Sequence, residues 1–299
     1  MLYLNFQDTK IRTALKKHIV GLQTEVEKRL IKRLPTASKP QFITTIIKPN
    51  IKSLLSSKPS DLDTLNQMIK NETEYRESIE DIKYIFRYEK WFDNKKDKYN
   101  AYDLATNLDV QSCVYCNRIY TKTVAKPSKI TRPSFDHWFD KGENPLLALS
   151  FFNLIPSCSI CNSGVKGSHP FKLQEYLHPY VDIDCGYHFS YYNKKLNSYE
   201  FKIKADDGNV KAEKTVEAFK LEQIYESHLS EIKDLVRLRN VYSQNYLMNL
   251  HKFLNKDKTN VSMDEIYRLA FGTFINEEDF EKRPLSKMKR DILTELGII

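Results

Sequence analysis

Two cysteine pairs with short internal spacing constrain this chain more than any other feature of its sequence. Cys113 and Cys116 form one C-x-x-C motif, and Cys158 and Cys161 form a second. In a reducing compartment, paired motifs of this kind indicate a metal site rather than disulfides. Four thiolates make a closed tetrahedral cage for Zn²⁺, with no open position for a substrate. The sequence therefore predicts a structural zinc site.

The composition is that of a globular protein with a basic surplus. Of 299 residues, 41% are hydrophobic and 29% are charged, which argues against a disordered chain. Only 8 residues are glycine, which argues against an all-β fold rich in tight turns. The formal charge is +8, and residues 113–172 contain eight cations and three anions, so +5 of it lies there. This balance fits a polyanionic partner.

Hydrophobic spacing divides the chain into three predicted regions and favours an α+β fold that is mostly helical. The polar run Asp93–Lys98 marks the first boundary. Tyr187–Ala205 alternates as a half-buried hairpin that we expect to turn through Asn193–Lys195. The three regions are an N-terminal helical region (1–98), a central domain with the cysteines (99–180), and a hairpin followed by a helical C-terminal region (181–299).

The sequence predicts no membrane partner and a cytoplasmic location. No stretch approaches the roughly 20 apolar residues that a membrane helix requires. The segment MLYLNFQDTK lacks the basic start and apolar core of a secretion signal.

The segment from the first cysteine pair to just beyond the second carries a further set of polar residues. Asp136 and His137 end a short β-type run, Asn153 precedes the second cysteine pair, and Asn162 follows Cys161 directly at a predicted helix start. With its flanking cysteines, this segment resembles the HNH endonucleases of the His-Me finger group, and within them the zinc-stapled subset. In that family a ββα unit holds one divalent ion. The resemblance covers roughly residues 113–170.

The resemblance implies a metal-dependent endonuclease that cuts DNA and leaves 5′-phosphate and 3′-hydroxyl ends. It assigns His137 as the general base, and a neutral imidazole can take a proton from water at physiological pH. It assigns Asp136 and Asn162 as ligands of a catalytic ion, and their oxygens suit a hard cation such as Mg²⁺. Asn153 would hold the loop that orients the His137 ring. Lys166, one helical turn beyond Asn162, would neutralise the attacked phosphate or contact the DNA backbone.

One position departs from the common family pattern. Many members have a histidine where this chain has Asn162, and an amide oxygen is a harder ligand than an imidazole nitrogen, so Mg²⁺ or Mn²⁺ is the expected catalytic ion. His169 is an alternative ligand, although Gly167 is expected to end the helix and turn His169 away.

Partners and alternatives follow from the same residues. The expected partner is double-stranded DNA, with phosphate contacts in a predicted loop at Lys122–Arg132. The resemblance suggests antiviral defence or restriction in bacteria, beside an ATPase or other defence-system protein, with the helical flanks free to form a homodimer. Two alternatives stay open: a catalytically inactive, zinc-stabilised nucleic-acid-binding module, and an HNH nuclease that acts on RNA.

Overall fold

The computed structural model describes residues 1–92, 98–195, 198–241, 244–256 and 260–299. These residues are mostly helical, with two small antiparallel sheets, which confirms the predicted α+β class. The predicted boundary at Asp93–Lys98 lies, apart from Lys98, outside the described residues, and the three predicted regions stay a prediction.

Contacts within the chain define two compact units, which are described separately. The N-terminal unit comprises Leu4–Val110 and Thr121–Ile183, and the C-terminal unit comprises Met1–Tyr3, Gln111–Tyr120 and Asp184–Ile299.

The N-terminal unit is built around a long first helix. The Asp8 side chain caps this helix by accepting from the Lys10 N–H, and Leu22, Val26 and Leu30 are buried on one face. A π-helical turn, Ile43–Ile47, joins the second helix to the third. The helices of this unit are α1 (Thr9–Arg33), α2 (Pro40–Phe42), α3 (Lys48–Ser56), α4 (Pro59–Lys70), α5 (Ile79–Ile85), α6 (Tyr88–Phe92) and α7 (Ala101–Leu108).

The same unit contains a two-stranded sheet that carries the predicted catalytic residues. Strand β1 (Ser134–His137) pairs antiparallel with β2 (Leu154–Ser157), so that Asp136 lies opposite Ile155 and His137 opposite Leu154. A π-helix, Ile160–Lys166, follows β2 and ends at Gly167, whose φ of +54° suits glycine. This gives the order strand, strand, helix that the family resemblance implied.

The C-terminal unit contains a hairpin and a set of helices. Strand β3 (Tyr187–Lys195) pairs with β4 (Ser198–Ala205), with an irregularity at Asn193/Lys195. The strand therefore continues through the residues that were expected to form the turn. Residues 196–197 lie outside the described residues. The helices are α8 (Val210–Ala218), α9 (Leu221–Tyr225), α10 (Leu229–Val241), α11 (Gln244–Leu254), α12 (Met263–Phe271) and α13 (Ser286–Glu295).

Helix α13 packs against strand β3 in this unit. The buried Asp291 carboxylate accepts hydrogen bonds from the Phe189 N–H and the Lys287 ammonium, at 3.0 and 2.9 Å. Within the described residues, no helix combines the length and apolar character that crossing a bilayer would require.

Candidate active site and metal cluster

His137 lies at the end of β1 and is held by a loop carbonyl. Its Nε2 lies 3.0 Å from the Ala148 carbonyl oxygen, and its ring contacts Tyr88 edge-on at 4.5 Å between centroids. A carbonyl oxygen can only accept, so Nε2 carries the proton and Nδ1 is the basic nitrogen. Burial lowers the pKa of His137 to about 4, which keeps the imidazole neutral at physiological pH.

Asn153 fixes the loop on which His137 depends. Its Nδ2 donates to the Leu147 and Phe139 carbonyls, at 3.0 and 3.1 Å, and its Oδ1 accepts from the Phe139 N–H at 2.6 Å. Leu147 directly precedes Ala148, whose carbonyl meets the histidine. These bonds place Asn153 where a residue that orients the imidazole through the loop would lie.

Asp136 is paired with an ammonium group. Its Oδ1 lies 3.3 Å from Lys166 Nζ, and Lys166 also donates to the His137 carbonyl at 2.8 Å. The side chain of Lys166 is only 1% exposed and lies near the Phe171 ring. The sequence suggested that Lys166 meets phosphate. The structure buries its ammonium against Asp136, because the π-helix carries it inward beside the end of β1. A contact between Lys166 and phosphate stays a prediction.

Asn162 and His169 are placed differently from the buried residues. Asn162 lies in the π-helix with a partly exposed side chain, and its described hydrogen bonds use its backbone, with Cys158 and Gly167. His169 is exposed, and its Nε2 lies 2.9 Å from the Tyr176 hydroxyl. The structure thus brings Asp136, His137 and Lys166 together in direct contact.

The four paired cysteines form one buried cluster. The sulfurs of Cys113, Cys116, Cys158 and Cys161 all lie within 4.8 Å of one another, and none is in a disulfide. In a tetrahedral zinc cage with Zn–S bonds of about 2.3 Å, neighbouring sulfurs are about 3.8 Å apart, so this spacing suits such a metal. Cys158 Sγ also accepts from the Cys161 N–H at 3.4 Å. The cluster could hold a metal such as zinc.

Two residues that the sequence did not single out support the first cysteine pair. Asn117 has a left-handed backbone (φ +49°), and its Nδ2 donates to the Phe280 carbonyl at 2.9 Å, while its Oδ1 accepts from the Lys287 N–H at 3.1 Å. The Tyr225 hydroxyl donates to the Cys116 carbonyl. Asparagine directly after C-x-x-C tolerates this backbone, which is a weak signal that sequence inspection could have used.

Comparison with known proteins gives one partial likeness. The chain is 33% identical over 92 residues to Septu protein PtuB of Bacillus thuringiensis, a match that spans 31% of this chain and 33% of that protein. No family model matches the chain, and no solved structure matches it. The match thus spans about one third of the length of the protein that the chain resembles.

Proposed function

We propose that the chain is a metal-dependent HNH endonuclease that hydrolyses DNA phosphodiester bonds, with His137 as the general base. The observation that carries the proposal is the contact between His137 Nε2 and the Ala148 carbonyl. This contact leaves Nδ1 as the proton acceptor, and Asn153 holds the loop that provides the carbonyl. Burial lowers the pKa of His137, so the imidazole is in its neutral, proton-accepting form at neutral pH.

In this proposal Asp136 and Asn162 would hold Mg²⁺ or Mn²⁺. Such an ion would supply a Lewis acid for the phosphate oxygens and for the leaving oxygen. Asp136 suits the role because its carboxylate is a hard oxygen ligand at the end of β1, directly before His137. A divalent ion at Asp136 would require Lys166 to share the carboxylate or to move from it. The four cysteines would hold a separate structural Zn²⁺.

A cleavage assay tests the assignment of the base. With Mg²⁺, we expect the chain to cut plasmid DNA to products with 5′-phosphate and 3′-hydroxyl ends. His137→Ala should abolish cleavage and leave folding and metal content unchanged, while His188→Ala, which alters an exposed histidine of the hairpin, should cut like the parent. Retained cleavage by His137→Ala would remove the base assignment. Parallel single-stranded DNA and RNA substrates decide between DNA and RNA.

Metal exchange tests the catalytic ion separately. Protein treated with EDTA should recover cleavage with Mg²⁺ or Mn²⁺ but not with Zn²⁺ alone, because oxygen ligands favour hard cations. Recovery with Zn²⁺ alone would contradict the assignment of Asp136 and Asn162.

The second candidate function is a zinc-stabilised nucleic-acid-binding module without catalysis. The Lys166–Asp136 ion pair favours it, because an ammonium that never leaves the carboxylate would keep a divalent ion out. Binding of nucleic acid that needs no Mg²⁺ or Mn²⁺, together with no cleavage of any substrate under any divalent ion, would support this candidate over the nuclease.

The likeness to Septu protein PtuB supports a proposed role in bacterial antiviral defence, beside a partner protein such as an ATPase. Phage plating on cells that carry the parent chain or His137→Ala, each with its neighbouring genes, tests this role. Equal protection against phage by the parent chain and by His137→Ala would show that defence does not require the proposed chemistry. A homodimer stays a prediction that light scattering can check.

A further inference from the structure

A basic cavity in the N-terminal unit lies outside the proposed catalytic residues and metal ligands, and shares Lys129 with the predicted phosphate-contact loop. Its volume is about 780 Å³, within the range of roughly 300–1,000 Å³ that small-ligand pockets occupy. Helix α1 provides one side, the segment Lys98–Asn107 provides another, and Lys129 of the loop at Lys122–Arg132 completes the lining. The proposed nuclease chemistry makes no use of this cavity.

The charge of the lining favours an anion. Four lysines, Lys16, Lys17, Lys98 and Lys129, face a single carboxylate, Asp103, so the lining carries a formal +3 (four minus one).

The partners of these groups leave part of this positive charge uncompensated, although Glu25 offsets that of Lys98. Asp103 is committed to the cap of α7, where its Oδ2 accepts from the Asn100 N–H at 2.8 Å. Lys17 donates to the Asn107 amide oxygen at 2.8 Å. Because this amide is neutral, the contact does not compensate the positive charge of Lys17. Lys98 pairs with Glu25 at 3.4 Å.

An aromatic wall of the cavity is fixed before any ligand arrives. The Tyr99 hydroxyl lies 3.1 Å from His18 Nδ1, and the Tyr99 ring stacks on Trp91 at 6.3 Å between centroids. A Cβ at Gly21 would lie 2.4 Å from Tyr99 Cγ, so glycine at this position is what lets the ring approach α1 so closely. Exposed Val20 extends the apolar part of the lining.

We propose that this cavity binds a nucleotide, with the lysines on the phosphates and the Tyr99–Val20 wall against the base. Lysine ammonium groups are point charges that suit phosphate, and the partly exposed Tyr99 beside Val20 offers an apolar surface for a base. The ligand is either a free nucleoside triphosphate or one nucleotide of a single strand, since both present this chemistry. The inference does not depend on the nuclease proposal, because it concerns binding alone.

Direct binding measurements test it, made on the whole chain in the His137→Ala background without added Mg²⁺ or Mn²⁺ so that no strand is cut. The probes are ATP, a short oligothymidylate and inorganic tripolyphosphate, titrated by calorimetry or fluorescence anisotropy. The test variant is Lys16→Ala/Lys129→Ala, which removes two exposed lysines of the cavity. Lys48→Ala/Lys52→Ala removes the same charge from exposed positions on α3 and is the matched control. Circular dichroism confirms that each variant is folded.

We expect the test variant to bind ATP, the oligonucleotide or both at least tenfold more weakly, and the control to stay within twofold of the parent. Weaker binding of ATP alone by the test variant identifies a free nucleotide as the ligand, and weaker binding of the oligonucleotide alone identifies a single strand. Either result, or weaker binding of both probes, supports the site. The inference is overturned if the parent binds neither probe, or if test and control variants bind alike. It is also overturned if tripolyphosphate binds as tightly as ATP, because the base would then contribute nothing.

Discussion

Asp136 and Lys166 place two opposite charges in the interior beside the proposed base. Neither side chain has appreciable contact with solvent, so each depends on the other and on nearby polar groups for the solvation it has lost. The Lys166 ammonium also holds the His137 carbonyl at 2.8 Å, which ties the end of β1 to the π-helix. The ion pair therefore joins the two elements that carry the predicted catalytic residues.

Replacing Lys166 by methionine should destabilise the protein. The change leaves a buried carboxylate without its cation, and breaking a buried pair in this way costs about 3–5 kcal/mol of unfolding free energy. Urea unfolding in the presence of EDTA measures the loss. Asp136→Asn/Lys166→Met should recover part of it, since no charge is then buried. Lys172→Met, which removes an exposed partner of Glu175, should change stability by less than about 0.5 kcal/mol. If Lys166→Met loses no more unfolding free energy than Lys172→Met, the buried ion pair does not contribute to stability.

At the scale of elements, helix α1 contributes a buried histidine to the N-terminal unit. His18 Nε2 lies 2.8 Å from the Leu149 carbonyl oxygen, and burial lowers the pKa of His18 to about 4. An unfolded chain has a histidine pKa near 6.5. Above pH 6.5 both states are neutral and His18 gives no pH dependence. Between pH 6.5 and 4 the unfolded state binds the proton more tightly, so stability falls as the pH falls.

His18→Gln should flatten part of this acid dependence, because glutamine can donate to the same carbonyl without titrating. A histidine shifted from about 6.5 to about 4 loses up to about 3 kcal/mol of stability over that interval. The measurement is the free energy of unfolding of parent and variant at pH 7, 5.5 and 4. His137 has a similar shift, so the parent should keep an acid dependence beyond that of His18. If the unfolding free energies of parent and variant depend on pH in the same way, the hypothesis that His18 is buried in its neutral form is wrong.

Sequence periodicity predicted several elements well, because local patterns determine them. The strands of Tyr187–Ala205 lie where the spacing placed them, although β3 continues through the residues that were expected to form the turn. Residue spacing in the sequence does not show which buried groups contact one another in the folded chain.

The candidate site shows the same division between local and long-range information. The spacing of Asp136 and His137 placed them at a strand end, as observed. It did not show that Lys166 turns inward to Asp136, since that depends on the packing of the π-helix beside β1. Nor did it show the carbonyl of Ala148 at the imidazole, which depends on a loop held by Asn153.

At the scale of the whole molecule, the cysteine cluster joins two segments that are far apart in sequence. Cys116 and Cys158 are separated by 41 residues (117–157), and bringing the ends of such a stretch together costs chain entropy. A metal bound by all four thiolates would offset that cost only in the folded state, so its binding would be coupled to folding.

Cys161→Ser should therefore lower zinc content and thermal stability together. Serine keeps the size of the side chain but lacks the thiolate, so we expect less than one zinc per chain by atomic absorption and a Tm lower by on the order of 10 °C. Cys185→Ser is the matched control, because Cys185 lies outside the cluster and its thiol donates to the Tyr187 carbonyl. The control should retain the parent's zinc content. Unchanged zinc content and Tm in Cys161→Ser would rule out a structural metal at these cysteines, and a chelator should then leave the parent's Tm unaffected as well.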